Sequence, residues 1–348
     1  MSEHSDHGDW ASGGLEYLGA CPICASVRRR CLYTGLVDRL FGAPGRWELY
    51  ACEQCGVAYL DPRPDLQTIP LAYREYATHQ GQVDDDPLQQ GTDWRSSLKQ
   101  AILRAHIRRR FGNLPFRPSD ILAGVMWLRP WMRLRFNGAM RHLPRPRPEG
   151  STLLDIGCGS GRFLAWARVA GWSGYGTEVD PRAAENARAK GFDVYDGPLD
   201  DLVSASKTFD AVTVSHVIEH VHEPLTLLRT ALRLLKPGGY FWIETPNVES
   251  HGHACFGSRW RGLEPPRHLQ LFTPTGLRTL LGDAGFINIQ LAPWQPDWGT
   301  MATLSRSTEP TQARSSGFRR ILGGSQESIG YRDPARREFI TLTATAST

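Results

Sequence analysis

The stretch LLDIGCGSGRF, Leu153 to Phe163, decides how this chain folds. An apolar run that breaks into closely spaced glycines reads as a buried strand entering a tight turn, with a helix to follow. In open α/β sheets such a turn lies where ligands bind, at the carboxyl edge of the strands. The spacing is G-x-G-x-G (Gly157, Gly159, Gly161), not the G-x-G-x-x-G of dinucleotide sites, and no G-K-[ST] follows it. Asp155 stands just before the turn, badly placed beside a pyrophosphate and well placed beside a cation. Glu178, 19 residues after Gly159, ends the next apolar stretch, where an acid accepts hydrogen bonds from ribose hydroxyls.

Downstream the alternation is regular. Strands are expected at SGYGTEVD, FDVYDG, FDAVTVSHVI, YFWIETP, FINIQLA and REFITLTATA. The helices between them carry their own punctuation. PRAAENARAKG opens on Pro181 and closes on Gly191. EPLTLLRTALRLLKPGG repeats Leu225, Leu228, Leu232 and Leu235 at helical spacing, with Gly238-Gly239 as its stop. Strands separated by helices of this length imply a parallel, doubly wound α/β sheet of seven strands.

A ligand with a ribose, a positive centre and no phosphate is S-adenosylmethionine. The set LLDIGCGSG (153–161), GYGTEVDP (174–181), FDAVTVSHVIEHV (209–221) and LLKPGGYFWIETPN (234–247) resembles class I S-adenosylmethionine-dependent methyltransferases, over about Ser151 to Gln290. The resemblance implies a Rossmann-like methyltransferase sheet. It implies that Asp155, Gly157, Cys158 and Gly159 line the methionine part, that Glu178 and Val179 hold the adenosine, that Asp200 neighbours the adenine, and that Ser215 and His216 contact the cofactor. The segment RWRGLEPPRHLQLFTP (259–274) resembles the stretch that covers the substrate pocket in one large group of these enzymes, which points to His268 as general base, with His220 as the other candidate. Trp260 and Phe272 are expected near that pocket.

Upstream, CPIC (21–24) and CEQCG (52–56) give C-x2-C-x27-C-x2-C. Two knuckles of thiolates are the usual tetrahedral ligands of structural zinc, so Cys21, Cys24, Cys52 and Cys55 are the expected metal ligands of a closed, non-catalytic site. Cys31 is left over. The order CPxC, CxxCG, DPRP, then a methyltransferase domain is similar to bacterial methyltransferases with an N-terminal zinc module, among them sugar C-methyltransferases and enzymes of polysaccharide and natural-product biosynthesis. Sugar C-methyltransferases carry a sizeable further C-terminal domain, whereas about 58 residues follow Gln290 here.

Four regions are expected: a disordered tail (1–18), a zinc ribbon (19–62), a basic and mainly helical linker or substrate cap (63–148), and the methyltransferase domain (149–348). The net charge of +4 is uneven, because Asp93 to Arg147 holds 13 Lys/Arg against two acids. Arg104, Arg108 and Arg133 are candidates to meet phosphates, and Trp127 and Trp131 to touch a membrane surface. A diphosphate or lipid handle on a small-molecule substrate accounts for the segment, and nucleic acid is the alternative partner. The reading is O-methylation of a small acceptor such as a sugar, glycolipid or secondary metabolite. RNA methylation and sugar C-methylation are the alternatives. The polar N-terminus and the lack of a long apolar run point to a cytoplasmic protein.

Overall fold

The structure, a computed structural model, describes residues 9–74, 94–112, 130–293, 298–306 and 332–347, with single residues at 115, 118, 121, 329 and 330. The N-terminal strands are β1 (Leu15–Glu16), β2 (Arg29–Leu36), β3 (Trp47–Cys52), β4 (Ala58–Leu60) and β5 (Arg63–Pro64). Two helices follow, α1 (Trp94–Phe111) and α2 (Pro130–Ala139). Then come β6 (Ser151–Ile156), α3 (Arg162–Val169), β7 (Trp172–Thr177), α4 (Pro181–Ala189), β8 (Asp193–Tyr195), α5 (Leu199–Ser204), β9 (Phe209–Ser215), α6 (Pro224–Arg233) and β10 (Leu235–Pro246). The chain ends with α7 (His251–Phe256), β11 (Gln270–Leu271), α8 (Pro274–Ala284), β12 (Ile287–Leu291), α9 (Trp298–Arg306) and β13 (Phe339–Thr345).

All seven expected strands form one sheet, in the order β12-β13-β10-β9-β6-β7-β8. It is mixed, not parallel throughout. β13 slots between β12 and β10 and runs antiparallel to both. The run 224–239 also divides differently. The helix α6 stops at Arg233, and Gly238-Gly239 belong to β10, where the pairing with β9 shifts register between Leu235 and Tyr240. Alternate residues of β10 serve the two faces. Phe241 and Ile243 join the core under α6 and α8, while Tyr240 packs against the core under α1, α2 and α3.

That second core corrects the boundary at 149. Ile107 and Phe111 of α1, Phe136 of α2, and Met140 and Leu143 are buried in one cluster with Leu153 and Trp172 of the sheet and Leu164 of α3. The helices α1 and α2 are therefore part of the domain's hydrophobic packing, and the Nε atoms of Arg104, Arg108 and Arg110 are buried with it. Trp127, the Trp131 side chain and most of 297–335 lie outside the described residues.

The expected disordered tail also needs correction, for residues 9–18. Trp10 is buried, stands edge-on to Trp47 at 5.3 Å and donates to the Gly14 carbonyl at 3.2 Å. β1 pairs with β5 of the DPRP segment. The ribbon sheet has the order β11-β4-β3-β2, so its last strand comes from the methyltransferase part of the chain. No described helix is long and apolar enough to cross a membrane.

Candidate active site

The glycine turn is built by the meeting of β6 with α3. Gly157 has φ 73°, and a Cβ there would meet Val217 Cγ2 at 2.4 Å. Gly161 (φ 79°) caps α3, where a Cβ would meet Phe192 at 3.0 Å. Beyond the turn opens a cavity of about 420 Å3, lined by Arg141, Cys158, Phe163, Ser215, Trp242 and Glu244 among others.

Asp155 is fully buried beneath this turn. Its Oδ1 pairs with Arg141 and accepts from Thr213 Oγ1 at 2.9 Å, and its Oδ2 is buried with no hydrogen-bond partner among the described residues. Burial pushes the carboxyl up, with the Arg141 guanidinium pulling the other way. Arg141 itself lies over the Phe163 ring at 3.7 Å. A buried carboxylate oxygen with no partner among the described residues fits a cationic group in that place.

Glu178 is engaged more tightly than its sequence position suggests. Oε2 accepts from Gly159 N at 2.8 Å, and Oε1 accepts from Val179 N and Asp180 N at 2.8 and 2.9 Å. The carboxylate thus pins the turn to the end of β7 and keeps further lone pairs for hydroxyl donors. Val179 is 91% exposed, an apolar surface next to that carboxylate. Asp200 lies within reach of Arg233 and Thr230 on α6, each at 3.4 Å.

After β9 the chain turns sharply. His216 sits at φ 53°, in the left-handed region that side chains other than glycine rarely occupy. Its Nδ1 is 3.4 Å from Glu219, its Nε2 is 3.6 Å from Glu244, and its ring stands edge-on to Phe339. Burial works against its charge, but the two carboxylates win and raise its pKa. Glu219 is likewise held at about 2, since the histidines around it outweigh its burial. Of the histidines named from sequence, His216 adjoins the large cavity through Glu244; His220 and His268 do not line it.

The structure brings His220 and His268 together, with ring centroids 4.7 Å apart. Nδ1 of His220 is 3.0 Å from the Arg267 carbonyl and 3.0 Å from Tyr73 Oη, and Nδ1 of His268 is 2.8 Å from the Gly262 carbonyl. Carbonyls only accept, so Nδ1 carries the proton in both rings and Nε2 is left basic. Burial lowers both pKa values and keeps the pair neutral. His268 is 6% exposed, while His220 is half-buried. Ligand atoms of Glu219, His220 and His268 lie within 4.8 Å of one another, a spacing a divalent cation can bridge. Trp260 is buried, stacks on His253 and donates to Glu338 at 3.3 Å, and Phe272 is a core residue.

The loop that carries His268 is held by Arg267, which is 0% exposed. Its guanidinium makes a forked pair with Asp38 (2.8 and 2.9 Å) and reaches Glu264 and the Ala72 carbonyl at 2.9 Å each. The DPRP segment braces the neighbouring loop, where His222 Nε2 lies 2.8 Å from the Pro64 carbonyl.

At the other end of the N-terminal sheet, Cys21 and Cys55 Sγ are 3.6 Å apart, Cys24 and Cys52 Sγ 3.5 Å, and all four fall within 4.8 Å. A zinc tetrahedron with Zn–S of ~2.3 Å has its sulfurs ~3.8 Å apart. Backbone N–H groups of Ile23 and Gln54 point at Cys21 and Cys52 Sγ, each at 3.4 Å. The four thiols fit structural zinc and leave no open position.

Two more buried histidines predict a pH response. His106 and His142 are each held at about 4, by burial first and by Arg110 among nearby guanidiniums. The unfolded chain takes up their protons near pH 6.5 and the folded chain does not, so stability is full above 6.5 and falls as pH drops towards 4. Between pH 7 and 5 the expected loss is roughly 1–2 kcal/mol per histidine. His216, with a raised pKa, gives a smaller part back. Urea midpoints at the two pH values, compared with His106→Gln, check this: the variant has the shallower pH dependence.

The glycine turn, buried Asp155, Glu178 and the seven-stranded sheet are arranged as in Rossmann-like S-adenosylmethionine-dependent methyltransferases. Residues 131–291 match the family model described as a methyltransferase domain. The chain is 34% identical over 158 residues to a ubiquinone biosynthesis O-methyltransferase of Cereibacter sphaeroides (42% of this chain, 64% of that protein). It is 34% identical over 146 residues to one of Caulobacter vibrioides (38% and 58%). It thus spans under two thirds of the length of these curated relatives. A solved S-adenosylmethionine-dependent methyltransferase from Archaeoglobus fulgidus superposes with a TM-score of 0.41 at 19% identity, over 68% of this chain and 97% of that one.

Arg141 and Glu244 are site residues that sequence reasoning missed. Arg141 was one charge among 13 in the basic segment, and only the fold of α2 onto β6 sets it against Asp155. Glu244 was hidden inside a strand motif.

Proposed function

We propose that this chain transfers a methyl group from S-adenosylmethionine to a hydroxyl of a small organic acceptor. The observation that carries this is the buried, unpartnered Asp155 Oδ2 beneath a glycine turn, in a domain of the matched family. The O-methyltransferase relatives favour a hydroxyl acceptor and give no support to a sugar or glycolipid one.

When bound, the cofactor supplies a methyl on a cationic sulfur. Asp155 receives the ammonium, Arg141 meets the carboxylate, and Glu178 takes the ribose hydroxyls, with Val179 against the adenine. Because the turn is already pinned by Glu178, these groups are oriented before the ligand arrives. His220 serves as general base through Nε2, since it is the less buried of the two neutral imidazoles. His268 packs against it and fixes its orientation. Cys21, Cys24, Cys52 and Cys55 hold zinc, which plays no part in the transfer.

Calorimetry with S-adenosylhomocysteine is the first test. Wild type binds, and Asp155→Asn weakens binding by at least tenfold, about 1.4 kcal/mol. Release of S-adenosylhomocysteine over a panel of phenols and alcohols is the second. His220→Ala loses on the order of 10²–10⁴ in kcat, and His268→Ala loses less. No binding by wild type sinks the cofactor reading, and an unchanged rate in His220→Ala sinks the base.

A further inference from the structure

We propose a phosphoryl-binding pocket beside the acceptor site, distinct from the basic helices, for a phosphate group carried by the acceptor itself. This rests on the methyltransferase reading and adds a substrate class to it. The pocket is a second cavity, of about 70 Å3, formed where residues 36–40 of the N-terminal module, residues 258–265 and the last turn of α9 converge. Four arginines from these three segments line it: Arg39, Arg259, Arg261 and Arg306. Three of them (39, 259 and 306) are exposed.

Two carboxylates in the wall do not cancel this charge. Asp38 and Glu264 are buried and committed. Asp38 takes the forked Arg267 pair and the backbone N–H groups of Leu40, Phe41 and Ala43. Glu264 takes Arg261 and Arg267. Five guanidiniums therefore stand against two carboxylates. A run of like charge along one helix is usually a solvated face. Here the charges come from segments far apart in sequence and meet in a concavity, which concentrates the positive field. Guanidinium forks match phosphate oxygens in geometry, and a surplus of three charges suits a dianion better than a carboxylate. The volume admits a group of phosphoryl size and no nucleoside.

The pocket is also in register with the reaction site. Thr300 lines the large cavity and Leu304 lines this one. The two are four residues apart on α9, on the same face and ~6 Å along its axis. Glu264, in the pocket wall, is 3.8 Å from His268 Nε2. A phosphoryl group held here leaves the rest of the acceptor to reach towards the cofactor cavity. Glu264 itself sits at φ 35°, in the left-handed region shared by Arg141 (φ 48°) and His216.

The test is calorimetry on the full chain, with and without saturating S-adenosylhomocysteine, using inorganic phosphate and phenyl phosphate as probes. Wild type is expected to bind both, with phenyl phosphate at least as tight. The double variant Arg39→Gln/Arg259→Gln raises both dissociation constants at least tenfold, with thermal midpoint and S-adenosylhomocysteine affinity unchanged. No phosphate binding by wild type, or equal binding by the variant, overturns the pocket. Binding of phosphate but not of phenyl phosphate assigns it to a free ion and overturns the substrate class. If S-adenosylhomocysteine binds and phosphate does not, the pocket alone fails. If phosphate binds and S-adenosylhomocysteine does not, the methyltransferase reading fails.

Discussion

Replacing Arg267 with alanine is expected to destabilise the protein by about 3–5 kcal/mol. The side chain is fully enclosed, and its removal strands two carboxylates, Asp38 and Glu264, that are themselves 1% and 6% exposed. Asp38 is left with its backbone N–H donors and Glu264 with Arg261, and the part of their desolvation that Arg267 offset is then uncompensated. The urea midpoint reads this directly. Arg267→Lys keeps the charge but loses the fork, and falls between wild type and alanine. Asp38→Ala is also destabilising, and the double variant Asp38→Ala/Arg267→Ala costs less than the sum of the singles, because both remove one interaction. Additive effects would mean that the two groups do not depend on each other.

Removal of zinc is expected to have the other large effect. Structural zinc bound by four thiolates contributes on the order of 10 kcal/mol of folding free energy. Losing it, by chelation or by Cys52→Ser, releases both knuckles and with them the register of β2, β3 and β4. β4 pairs with β11, two residues beyond His268, so the damage reaches the acceptor loop. The expected result is a metal content near one zinc per chain in the purified protein, a large drop in thermal midpoint without it, and loss of methyl transfer while the glycine turn survives. A chain that purifies without zinc and keeps its midpoint would contradict the assignment.

Local features were legible in the sequence, and long-range ones were not. The strands β6 and β9 announced themselves as apolar runs ending in glycine or in polar residues, and β7 by its place between two helices. The glycine turn and Glu178 are defined by spacing alone, as are the two Cys pairs. β13 was visible as a strand, but its antiparallel direction depends on insertion between β10 and β12, which no window of sequence contains. The helices α1 and α2 hid their role because Ile107 and Phe111 flank three consecutive arginines. Their apolar residues join the domain core only once they are laid on the sheet. The histidines were visible, but their surroundings were not. His268 is enclosed by its own loop, and His216 is charged because Glu219 and Glu244 meet it from two different elements. Asp200 was read by analogy of position, and α6 supplies partners for it that the position could not show.

The pairing of β4 with β11 also sets an order of events during synthesis. Ala58 and Tyr59 wait for Leu271 and Gln270, more than 200 residues later in the chain. At ~5–20 residues per second the ribosome needs on the order of 10–40 s to deliver that strand. Until then β4, whose three residues are all buried in the finished protein, is an open sheet edge able to pair with another nascent chain. The four-cysteine ribbon is thus completed last, although its other strands are made first. Expressing residues 19–62 alone should leave that edge permanently bare.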